Sequence, residues 1–215
     1  MQIVLKFLLI SLLFSSCNRS SNKNISIFKI DKSITDFVSS KFDHVESEDN
    51  WHCEFENFLI GNYYKEDSLV STYEYNDRKS LNFTSFYYVD EDTIKLNGFF
   101  GDNGGYGFII KFIDEKPEVY HLAAGMFPMY SNTQTGKLRY KLEVPVRSSN
   151  LTISEIPRIG GDYIFGVIDF ESENYFINNS DEELPIKERT KLRIDLKVYF
   201  KSNYFDPSKF NIEMH

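Results

Sequence analysis

Two cysteines, a single tryptophan and no long apolar run are the first things that the 215-residue chain withholds. A membrane-spanning helix needs roughly 20 apolar residues, and the longest approach to one here, around Phe7–Phe14, ends well short of that. Basic residues are also scarce: 24 Lys and Arg face 32 Asp and Glu, for a formal net charge of −8. A chain with this balance gains no overall attraction to phosphate backbones, so nucleic acid is not an expected partner. The signatures that carry common chemistry are missing too: no G-x-S-x-G elbow, no H-E-x-x-H helix, no P-loop and no paired C-x-x-C motif. No catalytic residue and no cofactor are therefore expected.

Aromatic side chains are plentiful, with 20 Phe and 14 Tyr. Rings and β-branched residues suit pleated, half-buried surfaces, and the pattern along the chain agrees with that preference. Leu138, Tyr140, Leu142 and Val144 alternate with charged residues across 137–144, and Leu192, Ile194, Leu196 and Val198 do the same across 191–198. A period of two with one dry and one wet face predicts antiparallel strands packed on one side. Further strands are expected at 68–75, 81–89, 93–100, 106–113, 118–123, 151–154 and 162–170, with Asn103-Gly104 suited to a hairpin turn and Asp90-Glu91-Asp92 to a hairpin tip. Ser33 followed by Asp36 resembles a capping box, and Ile34, Phe37, Val38 and Phe42 recur at helical spacing, so one short helix is expected over 33–42. The fold class is mainly β: an antiparallel β-sandwich or an open, curved β-barrel with one short N-terminal helix.

Within Trp51-His52-Cys53-Glu54-Phe55-Glu56 the same alternation puts Trp51, Cys53 and Phe55 on one face and His52, Glu54 and Glu56 on the other. Residues two apart in a strand stand about 6.6 Å from one another, so a metal could draw His52 and Glu54 together, with Glu56 as a third ligand or as half of an acid–base pair. The competing reading is a wetted strand face, with Cys53 as a small buried hydrophobe. Adjacent rings such as Phe86-Tyr87-Tyr88 and Tyr199-Phe200 must point to opposite faces of their strands. Some aromatic surface therefore faces a second layer or a ligand.

At the amino end, Lys6 precedes the apolar stretch Phe7–Phe14, and Ser15-Ser16 leads into Cys17. A basic start, a short apolar core and a small-residue junction form a secretory signal. With the cysteine at the junction, the segment resembles the lipobox of bacterial lipoproteins, with Phe14 where that family usually has Leu. The resemblance implies a signal peptide over 1–16, lipidation of Cys17, a polar tether through residue 24 and one β-rich domain over 25–215. It implies attachment to the membrane through lipid and a place in the bacterial cell envelope, facing the periplasm, since no acidic cluster follows Cys17. The body is similar in layout to small β-rich envelope lipoproteins of unknown role. The expected function is non-enzymatic binding of a protein, peptide or glycan; the alternatives are a metal-dependent envelope hydrolase built on His52, Glu54 and Glu56, or an immunity-type protein that neutralises a toxin.

Overall fold

A computed structural model describes residues 25–42, 52–55, 59–65, 68–74, 83–100, 104–132 and 134–210. The chain runs through β1 (Ile25–Ile30), α1 (Ile34–Phe42), β2 (His52–Phe55), β3 (Leu59–Lys65) and β4 (Ser68–Glu74). It then builds an antiparallel meander of β5 (Phe83–Asp90), β6 (Thr93–Phe100), β7 (Gly104–Ile113) and β8 (Lys116–Gly125). The two-residue β9 (Tyr130–Ser131), β10 (Lys141–Ile153), β11 (Ile164–Ser172), β12 (Tyr175–Ile177) and β13 (Thr190–Tyr204) complete it. The protein is mainly β, with one α-helix among the described residues, as the sequence predicts.

Two long strands tie the pairings together. The first residues of β10 pair with β8, and its later residues pair antiparallel with β11 and parallel with β1. Strand β13 pairs antiparallel with β2, β3, β11 and β12, and its last two residues run parallel to β5. Hydrogen-bonded neighbours thus form the circuit β5-β6-β7-β8-β10-β11-β13. The seam between β13 and β5 consists of Asn203↔Phe86 and Tyr204↔Tyr87, reinforced by the buried Ser85–Ser202 hydroxyl pair and by Phe205 N–H donating to the Tyr87 carbonyl at 2.8 Å. So short a seam makes a large curved sheet folded over one core, sandwich-like and not a clean barrel. The two parallel pairs are a departure from expectation: alternation reports which face is dry, not which strand is the neighbour.

The core lies between the folded halves. Leu142, Val144, Val146, Leu151 and Ile153 from β10 meet Ile194, Leu196, Val198 and Phe200 from β13 and Leu96, Phe108, Ile110 and Phe112 from the meander. The alternation expected on β13 is present, with Arg193, Asp195 and Lys197 on its other face. The strand expected over 137–144 begins only at Lys141; Arg139 makes a single bridge to Tyr130, and Tyr140 is exposed. The strand then runs on through Pro145, which has no N–H to give, while its carbonyl accepts from Glu173 N–H at 2.8 Å.

Helix α1 covers the outer side of β11 and β13. Val38 is buried, and the Phe37 ring meets Tyr199 edge-on at 5.6 Å. Tyr199 lies between the core residues Val198 and Phe200 and so faces away from the core; the helix is the second layer that buries it. The start of the helix is organised by Asp31 and not by a Ser33–Asp36 box. Asp31 Oδ1 accepts from Ser33 N–H (3.1 Å) and Ser33 Oγ–H (2.6 Å), while Lys29 donates to Oδ2 at 2.5 Å. These bonds to the charged form, Lys29 foremost and Ser33 next, lower the Asp31 pKa to about 2.

The hairpins follow the expected breaks, with one addition. Glu91 turns the β5–β6 corner at φ +53°, and β6 and β7 form the hairpin anticipated around Asn103-Gly104, of which Asn103 lies outside the described residues. Between β7 and β8, Asp114 and Glu115 both adopt positive φ, +49° and +64°. Two consecutive left-handed residues match the right-handed twist of the flanking strands, which is why this conformation suits a two-residue hairpin.

Candidate functional site

The residues singled out by sequence are only partly within reach. Cys17 and Glu56 lie outside the described residues. His52 and Glu54 sit on β2, where the backbone register sets them opposite Lys201 and Tyr199, while Cys53 and Phe55 stand opposite the buried Phe200 and Val198. Among the described residues, no three His, Cys, Asp or Glu side chains are grouped so as to hold a metal. The acidic stretch Asp181-Glu182-Glu183 belongs to a braced loop. Asn178 Nδ2 donates to the carbonyls of Ser180 and Glu182, and its Oδ1 accepts from Leu184 N–H. Arg189, itself buried, donates to the Leu184 carbonyl (2.8 Å), Ser131 Oγ (2.7 Å), the Gly136 carbonyl and Glu183 Oε1 (3.1 Å).

A distinctive arrangement occurs on the outer face of the meander. Register and alternation place Phe86 and Tyr88 of β5, Lys95 and Asn97 of β6, Ile109 and Lys111 of β7, and Glu118 and Tyr120 of β8 on the side away from the core. This face is far drier than a wetted strand face. Ile109 is 1% exposed and Asn97 8%, and Tyr88 and Leu122 are buried as well. Phe205 lies edge-on to Phe86 at 5.5 Å on one flank.

Charges frame these rings. Lys111 Nζ donates to Glu143 Oε2 at 2.5 Å and stands 4.7 Å above the Tyr120 ring, an ion pair and a cation–π contact from one ammonium. Tyr120 O–H donates to Glu118 at 2.9 Å. Its pKa rises to about 12, through burial first and then the Glu118 bond and charge, so it remains a neutral donor at any physiological pH. Burial is the largest single influence on Lys95 and opposes its charge, but the bond to Asp90 together with the charges of Tyr88, Asp90 and Glu143 outweighs it, and the lysine pKa is raised.

Asn97 stands in the middle. Its Nδ2 reaches Tyr88 Oη only at 3.4 Å, and its buried Oδ1 has no hydrogen-bond partner among the described residues. Exchanging the amide ends would move the deficit to Nδ2 without removing it, because Tyr88 can serve only one of them. A buried unpaired amide pole costs about 1–3 kcal/mol. Nothing in the sequence marks this position, since Asn97 falls in register with Lys95 as an ordinary polar residue of the outer face.

The second feature that sequence reasoning missed is His121, fully buried in the core. Its Nδ1 lies 3.0 Å from the Gly107 carbonyl, which has only lone pairs to offer, so Nδ1 carries the proton and donates; Nε2 then accepts from Tyr175 Oη at 3.3 Å. Tyr106, Tyr175 and Phe170 surround the ring at centroid distances of 5.9, 5.3 and 6.2 Å. Burial drives its pKa down to about 4, against a smaller upward pull from the Gly107 bond. The signal was present in the alternation Val119, His121, Ala123, which puts the imidazole in step with apolar neighbours.

Fold and site define a β-rich protein with one covering helix and a dry, aromatic outer face. No protein family, curated protein or solved structure matches the chain.

Proposed function

We propose that this is a lipid-anchored protein of the bacterial cell envelope, held by lipid on Cys17 on the periplasmic side, which binds a peptide, glycan or protein segment without catalysis. The anchor rests on Lys6, the apolar stretch and Ser15-Ser16-Cys17. The binding role rests on Asn97, a buried amide whose Oδ1 has no partner among the described residues and which stands beside Tyr88 and opposite Phe86. Phe86 and Tyr120, partly exposed on the same face, offer stacking surface to a sugar face or an apolar side chain, and a ligand N–H or O–H admitted past the buried Tyr88 would satisfy Oδ1 and recover what the free protein forgoes.

A residue kept for binding at the expense of stability has a recognisable signature. Asn97→Leu, close in size, is expected to raise stability by about 1 kcal/mol in thermal or urea unfolding, because it replaces an unpaired buried amide by an apolar group. The same variant should weaken capture of disaccharide-peptide fragments of the cell wall, or of library peptides, about tenfold or more if such a ligand donates to Oδ1. Loss of stability with undiminished capture would make Asn97 a structural residue and remove the support for this face.

A further inference from the structure

We infer that the end of the molecule formed by the β8–β9 loop and the start of β10 rests on the headgroup region of an anionic bilayer. Three large apolar side chains protrude there: Met126 is 60% exposed, Phe127 70% and Tyr140 59%. They are brought together by the backbone, since Gly125 N–H donates to the Tyr140 carbonyl at 2.8 Å and Met129 N–H to the Arg139 carbonyl at 3.1 Å. Lys137, Arg139 and Lys141 are exposed beside them. In a chain of net charge −8, residues 126–141 contain these three cations and no acid. The acidic loop at Asp181–Glu183 borders this stretch on the side of Ser131 and Gly136, where Arg189 takes Glu183. Rings and a thioether ringed by Lys and Arg suit an interface whose surface is anionic and whose interior is apolar.

The path of the chain points to the same end. Strand β1 runs parallel to β10 from Ile25↔Ser148 to Ile30↔Ile153, so the amino end of β1 points towards the Lys141 end of β10. From Ser148 back to Lys141 is about 23 Å along a strand, and the eight steps from Cys17 to Ile25 span at most about 27 Å. A lipid on Cys17 is thus within reach of the bilayer on which Phe127 would rest. Ile159, 71% exposed, lies in the loop beyond Ile153 at the opposite end of β10, and that loop carries Glu155 and Asp162 against Arg158 alone. Exposed apolar area occurs at both ends; charge and tether select one.

This inference rests on the anchoring proposed above, and its test keeps the two apart. The full protein, with its amino terminus read by mass spectrometry, is bound to vesicles of phosphatidylethanolamine and phosphatidylglycerol whose acyl chains are brominated. Phe127→Trp and Ile159→Trp are compared, and the parent signal is subtracted. The Phe127→Trp emission should shift to the blue and be quenched about twofold or more, the Ile159→Trp emission should be unaffected, and Lys137→Glu/Arg139→Glu/Lys141→Glu should relieve the quenching. Lipid on Cys17 without quenching at 127 keeps the anchor and overturns the membrane-resting end, leaving an acidic protein surface as the occupant of that patch. Quenching at 127 with an unmodified amino terminus supports the membrane-resting end and overturns the anchor. Quenching at 159 but not at 127 overturns the assignment of ends.

Discussion

Phe200→Ala is expected to destabilise the protein by about 3–5 kcal/mol, as for truncation of a fully buried aromatic with little room for collapse. Phe200 is completely buried on β13 and meets Phe108 of the meander at 5.3 Å, so its ring joins the two folded halves of the sheet. Its register partner on β11 is Gly166, where an added Cβ would stand 2.3 Å from the ring. The ring therefore lies against the bare backbone of Gly166, and that position has no side chain of its own to fill the space left by truncation. Gly166→Ala alone should cost about 1–3 kcal/mol through overpacking, but markedly less in the Phe200→Ala background, where the new methyl enters the cavity. Urea unfolding of the four proteins yields this coupling. Additive costs would mean that the ring and Gly166 do not share the space.

Acidification should produce the second large effect. His121 has a folded pKa of about 4 against an ordinary 6.5, lowered by burial. Between those values the unfolded chain binds the proton and the folded one does not, so stability is fully present above pH 6.5 and falls as pH drops towards 4. A gap of this size corresponds to about 3 kcal/mol. Protonation would place a second N–H and a charge against Tyr175 Oη among three rings. His121→Gln, which cannot titrate, should lose part of its stability at neutral pH and flatten the slope between pH 5 and 6.5, where most carboxylates stay ionised. Parent and variant slopes that coincide in that window would show that His121 is not the responsible group.

Strand β13 illustrates what sequence could and could not disclose. Leu196 and Val198 were legible because a period of two, set against Asp195 and Lys197, leaves little choice of face. Phe200 lies beyond that alternating stretch, and the pair Tyr199-Phe200 by itself left open which ring is buried. The helix was legible from spacing at Ile34, Phe37 and Val38, although its start depends on Asp31. Pairing was less accessible: the parallel seams β1–β10 and β13–β5 join segments more than a hundred residues apart, and no local pattern encodes them. Tyr140 shows the limit of alternation, since it continues the series of Leu142 and Val144 in sequence yet sits exposed where the strand has not begun. Asn97 was invisible, because a polar residue on an outer face gives no sign that the face is dry. His52, Glu54 and Glu56 made a legible pattern, of which the described structure fixes only the backbone register of the first two.

Membrane anchorage is the claim on which the proposed role depends, and the native amino terminus tests it most directly. Mass spectrometry of the protein purified from membranes should find a chain beginning at Cys17 and carrying a diacylglyceryl thioether and an acylated amine. A chain that retains Met1, with Cys17 a free thiol, would contradict the account.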